Sequence, residues 1–151
     1  MYKLSLFTVV FILTISLSIC TAVAPLNTFL SPDNYDVIKY FNRIAELPYR
    51  GDVTTSKPKT PAQLWNLGYG DCDDKAVAFL DYLYNKGERK LFLVNLKHKS
   101  GKYSHACLIW NNRIYDPTIQ PTIYNMDQKR YFDTLKDYRF TSHTEQPYKP
   151  L

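Results

Sequence analysis

Apolar residues recur at helical spacing in the first half of this chain and alternate in the second, so helices are expected ahead of strands. Val37, Ile38, Phe41, Ile44 and Ala45 follow Ser31-Pro32, where Ser suits a cap and Pro a first turn, which predicts a helix to about Glu46. Pro48, Gly51, Pro58 and Pro61 then punctuate a polar loop, and Thr60-Pro61 opens a short helical turn ending near Gly68. Asp71 is the cap of the next helix, with Asp73 and Asp74 in its first turn. Ala76, Val77, Phe79, Leu80, Leu83 and Tyr84 run along it, and Gly87 stops it.

Beyond Gly87, residues 90–96 read as a strand, 97–102 as a turn and 103–110 as a second strand. Asn111-Asn112 makes a hairpin turn into a third strand over 113–115. Residues 126–135 predict a helix and 138–141 a short strand, ahead of a Pro-containing polar end. Helices and strands segregated in this way define an α+β class, with no internal repeat.

Apolar content of 45% and charged content of 22% over 151 residues suit one globular domain and exclude a disordered or collagen-like chain. The amino end departs from this average. Met1-Tyr2-Lys3 precedes an uncharged run over residues 4–24, dense in Leu, Ile, Val and Phe, which reads as an export signal or, if retained, a membrane anchor with its amino end inside. Cleavage after Ala24 satisfies the small-residue rule but places Pro25 after the bond; cleavage after Ala22 avoids it. Leu17-Ser18-Ile19-Cys20 is similar to a lipoprotein signal, except that Ile19 is large where a small residue is usual. The domain expected outside the cytoplasm is therefore 25–151.

That domain carries 18 basic and 14 acidic residues, a net charge of +4. Lys97, His98, Lys99 and Lys102 cluster in one turn. With export, the basic excess points to an anionic envelope surface rather than to nucleic acid, although a merely solvated turn explains it as well.

The chemistry concentrates at Cys72, His105 and Asp116. A thiol attacks as thiolate, and the amino end of a helix and a nearby imidazolium both favour that form. His105 on one strand and Asp116 at the end of the next would lie close across a hairpin, with Pro117 biasing Asp116 to extended geometry. In this arrangement Cys72 is nucleophile, His105 base and acid, and Asp116 the orienter of the imidazole. A metal centre built from the same three side chains has no second histidine or close cysteine pair to complete it, so neither metal nor cofactor is expected.

The segments Thr60-Pro61, Gly68-Tyr69-Gly70-Asp71-Cys72-Asp73-Asp74-Lys75-Ala76, His105-Ala106 and Tyr115-Asp116-Pro117-Thr118 carry a resemblance. Their order, and the spacing of 33 residues from Cys72 to His105 and 11 more to Asp116, resembles the transglutaminase-like superfamily, bacterial transglutaminase-like cysteine proteinases included. The resemblance covers roughly residues 60–118. It implies a papain-like core, with the nucleophile at a helix amino terminus packed on a small antiparallel sheet, and thiol acyl chemistry on a protein or peptide substrate through the same three residues. Papain-like relatives place a Gln six residues before the cysteine. That position is Asn66 here, with Trp65 beside it, and these are the side-chain candidates for holding the oxyanion alongside the Cys72 backbone N–H.

Three readings remain open at this level. Water as acceptor makes the protein a cysteine peptidase or amidase, an amine as acceptor makes it a transglutaminase, and a disulfide between Cys72 and Cys107 makes it a silent binding module.

Overall fold

A computed structural model describes residues 30–51, 57–102 and 104–150. The export or anchor segment, residues 1–24, lies outside the described residues. Among those described, no helix is long and apolar enough to cross a membrane.

The fold is α+β, as the pattern of positions predicts. Its elements in chain order are α1 (Tyr35–Glu46), α2 (Pro61–Leu67), α3 (Cys72–Asn85), β1 (Leu91–His98), β2 (Ser104–Trp110), β3 (Arg113–Asp116), β4 (Ile123–Asp127), α4 (Gln128–Asp137) and β5 (Phe140–Pro147). The five strands form one antiparallel sheet in the order β4-β3-β2-β1-β5.

Period-two alternation sends neighbouring strand residues to opposite faces, and both faces are covered. Leu108, Trp110 and Tyr115 join Val37, Phe41 and Ile44 of α1 and Phe79, Leu80 and Leu83 of α3 in one core. Val94, Leu96, Cys107, Ile109 and Ile114 join Tyr131 and Leu135 of α4 in the other. The sheet is thus sandwiched between α1–α3 and α4.

Three expectations are corrected. The first helix starts at Tyr35, not at Ser31-Pro32: Asn34 Oδ1 accepts from Asp36 N and Val37 N at 2.9 and 3.4 Å, while Ser31 closes a preceding turn by accepting from Asn34 N at 2.9 Å. Met126 and Asp127 belong to a strand. β3 offers them a ladder (Ile114 opposite Met126, Arg113 opposite Asp127), and the helix begins only at Gln128 with Asp127 as its cap. The last strand is Phe140–Pro147 rather than 138–141, and beyond the half-buried Phe140 it is exposed and almost wholly polar. Backbone pairing with β1 makes it a strand without any apolar alternation to announce it.

Candidate active site

Two capping boxes build the loop and helix that carry Cys72. Thr60 Oγ1 accepts from Gln63 N at 3.3 Å while Gln63 Oε1 accepts from Thr60 N at 2.9 Å, which starts α2; Gly68, at φ 71°, ends it. Asp71 Oδ1 accepts from Asp74 N at 3.4 Å and Asp74 Oδ2 from Asp71 N at 3.0 Å, which starts α3 with Cys72 as its first helical residue. At that position the Cys72 backbone N–H has no acceptor within the helix and stands at the positive end of its dipole.

Asp74 does more than cap. It is buried, and its two oxygens also accept from Lys59 N at 2.6 Å and Lys59 Nζ at 2.7 Å, which ties the loop before α2 to the start of α3. Gly70 completes the joint from the other side: its N–H donates to Pro48 O at 3.2 Å and its carbonyl accepts from Arg50 N at 3.0 Å. A Cβ there would stand 2.5 Å from Leu64 Cδ1 and 2.9 Å from Asp74 Cβ. Leu64 can swing, whereas Asp74 is held by its four bonds. Gly70→Ala is therefore expected to cost roughly 1–3 kcal/mol by overpacking. Urea denaturation measures it, and a wild-type midpoint would show that the joint yields freely.

His105 and Asp116 come from β2 and β3, and the hairpin brings them together as expected. His105 Nε2 lies 2.6 Å from Asp116 Oδ2, and the Asp116 side chain is wholly buried. The Cys72 thiol acts on the same ring and favours its charged form. Burial opposes charge on the imidazole, but the hydrogen bonds to Asp116 and Cys72 and their negative charges overcome it and hold His105 up at about 10. Burial likewise opposes charge on Asp116, and the His105 and Tyr131 hydrogen bonds with the Thr118 N–H carry its carboxyl below the ordinary range.

Asp116 accepts from four donors. Oδ2 takes His105 and the Tyr131 hydroxyl, the latter also at 2.6 Å, and Oδ1 takes Thr118 N at 2.9 Å and Ile119 N at 3.2 Å. Tyr131 is a site residue that sequence reasoning missed. It lies on α4, in a stretch whose only visible signal is amphipathic spacing.

Cys72 and Cys107 are both free thiols, Cys107 fully buried, so the disulfide of the silent reading is not made. Burial pushes the Cys107 thiol well above its ordinary range. Cys107 packs among Val94, Ile109 and Ile114 as a small core residue.

The oxyanion candidates fare differently. Trp65 Nε1 donates to Tyr40 Oη at 3.3 Å, and the Tyr40 ring stacks on Tyr82 at 4.0 Å. Tyr82 is ten residues, about 15 Å, along α3 from Cys72. The indole is thus committed near the far end of the helix and is withdrawn as a donor to the site. Asn66 is exposed on the last turn of α2.

Asp71, Asp73 and Asp74 present carboxylate oxygens within 4.8 Å of one another, the one group among the described residues with the composition of a cation site. Asp74 is already engaged with Lys59. Burial, the Asp71 hydrogen bond and the charges of Asp71 and Asp74 raise Asp73 to about 7, so this crowd sheds charge by protonation near neutrality.

No family model matches this chain, and no curated protein does. Among solved structures it is similar to Legionella pneumophila LapG. The calcium-bound form gives a TM-score of 0.45 at 18% identity over 54% of this chain and 51% of that one. The EGTA-treated form gives 0.44 at 17% over 54% and 50%. The chain spans about half the length of the protein it matches.

Proposed function

We propose that the protein is an exported cysteine hydrolase of transglutaminase-like type, a peptidase or amidase that works through an acyl-thioenzyme. The observation that carries this reading is the buried Asp116 bonded at 2.6 Å to His105 Nε2, with Cys72 at the head of α3 acting on the same imidazole. It is supported by the agreement of the Gly70–Ala76, His105-Ala106 and Tyr115–Thr118 segments with that superfamily's pattern.

In this mechanism His105, protonated at neutral pH, faces Cys72, whose sulfur reacts in its deprotonated form. Sulfur attacks the amide carbonyl carbon, and the oxyanion is received by the Cys72 backbone N–H, with the Asn66 amide as the side-chain candidate for a second donor. His105 gives its proton to the departing amine as the C–N bond breaks, leaving a thioester. Water then loses a proton to His105 and attacks the thioester carbon; the C–S bond breaks, releasing the carboxylic acid and returning the deprotonated Cys72 sulfur beside the protonated His105. Acceptance of an amine in place of water would give acyl transfer by the same first half-reaction. Residues 4–24 would direct export or anchor the domain, and Lys97 at the end of β1 with Lys99 and Lys102 of the turn after it would face an anionic envelope surface. A reporter fused after Leu151 should then behave as extracytoplasmic; a full-length cytoplasmic protein refutes export.

Alkylation tests the nucleophile directly. With limiting iodoacetamide at neutral pH, mass-spectrometric mapping should find Cys72 modified far faster than Cys107, which is buried and has its thiol form favoured. Equal rates exclude Cys72 as an activated thiol.

The pH dependence follows from His105. Its folded value, about 10, lies above the ordinary 6.5. Protonation therefore contributes stability that is complete below about 6.5 and is lost as pH rises through about 10. Turnover needs the same proton for the leaving amine, so its alkaline limb should fall near pH 10. An alkaline limb near 6.5 would mean that Asp116 does not sustain the imidazolium.

A further inference from the structure

A cleft of about 370 Å³ opens beside His105, and the proposed chemistry uses only that one side chain of its lining. Tyr49, Ser104, Thr118, Ile119, Tyr138 and Phe140 complete its lining. Tyr49 is tied to the thiol side of the site by the backbone pairing of residues 48–50 with Gly70, two positions before Cys72, and its hydroxyl feels the Cys72 charge. The Phe140 ring lies 6.1 Å from the His105 ring.

Tyr49 and Tyr138 are 62% and 54% exposed, so the cleft leaves two large aromatic surfaces to solvent at its lips. Among the described residues lining it there is no Lys, Arg, Asp or Glu. A charged side chain entering it would lose hydration and meet only His105, whose charge is already matched by the buried Asp116, whereas an apolar one would cover the tyrosines and exclude water beside His105. The volume lies near the lower end for ligand sites, which run from about 300 to 1,000 Å³, and suits one side chain rather than a long segment.

We propose that this cleft is the specificity pocket of the site, taking one uncharged apolar side chain, aromatic or large aliphatic, of a peptide substrate close to the bond that is cleaved. The proposal rests on the reading of Cys72, His105 and Asp116 as an acyl-transfer site.

Thiol-reactive peptidyl fluoromethyl ketones test it on the intact chain. Two series are needed, one varying the residue that adjoins the ketone and one varying the residue before it, each with Phe, Leu, Asp and Lys. The readout is the rate of Cys72 modification by mass spectrometry, divided by the iodoacetamide rate on the same protein. In at least one series, Phe and Leu should exceed Asp and Lys by about tenfold or more, and Tyr138→Ala should narrow that ratio, with Tyr49→Ala as the second variant. Equal rates across both series, with Cys72 still selectively alkylated by iodoacetamide, overturn the pocket and leave the nucleophile standing. If iodoacetamide shows no preference for Cys72 and no ketone labels it, the acyl-transfer reading fails and the pocket falls with it.

Discussion

Asp116→Asn is expected to lower turnover by about 10³–10⁴-fold while the chain stays folded. Four donors converge on this carboxylate, and an amide has only one oxygen to meet them. If the amide nitrogen takes the Oδ2 position, it faces the Tyr131 hydroxyl and forces His105 to accept at Nε2. The ring then carries its proton at Nδ1 and cannot take one from Cys72. If the amide turns over, its N–H groups meet those of Thr118 and Ile119 instead. Loss of the negative charge also removes the Asp116 share of what holds His105 near 10, leaving only that of Cys72, so the alkaline limb of the residual activity should move down from 10 in the direction of 6.5. Steady-state kinetics across pH, with circular dichroism to confirm folding, decides the matter. Full activity with an unmoved limb would show that Asp116 does not orient the imidazole.

The second large effect belongs to Lys75, expected to cost about 2–3 kcal/mol when replaced by Met. Lys75 is buried in the first turns of α3, and its ammonium donates to Leu47 O at 2.6 Å and Ala45 O at 3.1 Å, carbonyls at the end of α1 that have no helical partner. Methionine fills the space and leaves both carbonyls unpaired, each a loss of about 1–3 kcal/mol, partly offset because an ammonium no longer has to be desolvated. The consequence reaches the site. The end of α1 leads directly into Pro48–Arg50, the segment that pairs with Gly70 and presents Tyr49. Urea denaturation should show the lowered midpoint, and a variant as stable as the parent would mean that the two carbonyls find other partners.

Much of this site is legible in the chain because its parts are local. Asp71 and Asp74 form a capping box, and a cap is a matter of residues three apart, so both the helix start and the position of Cys72 on it follow from the order of residues. Asn111-Asn112 turns the chain tightly enough that His105 and Asp116 must come back on adjoining strands; both asparagines take positive φ, as that turn needs. Thr60-Pro61 and Gly87 mark element ends for similarly short-range reasons. The α+β class follows from helical and alternating periods occupying different stretches of sequence.

What needed the tertiary structure depends on partners far along the chain. Residues 126 and 127 carry a helix-like pattern but lie beside β3, whose unpaired backbone groups claim them for the sheet. β5 has no alternation to read because it forms an edge, where backbone pairing alone is satisfied. Tyr131 reaches Asp116 because α4 crosses the sheet face opposite α3, and Trp65 is drawn to Tyr40 because α1 and α2 both pack against α3. The amino acids in these places carry the right chemistry, but no local rule says which of two polar atoms, distant in sequence, a buried hydroxyl or indole N–H will meet. Packing decides that, since each buried donor goes to the acceptor that the assembled layers place within reach.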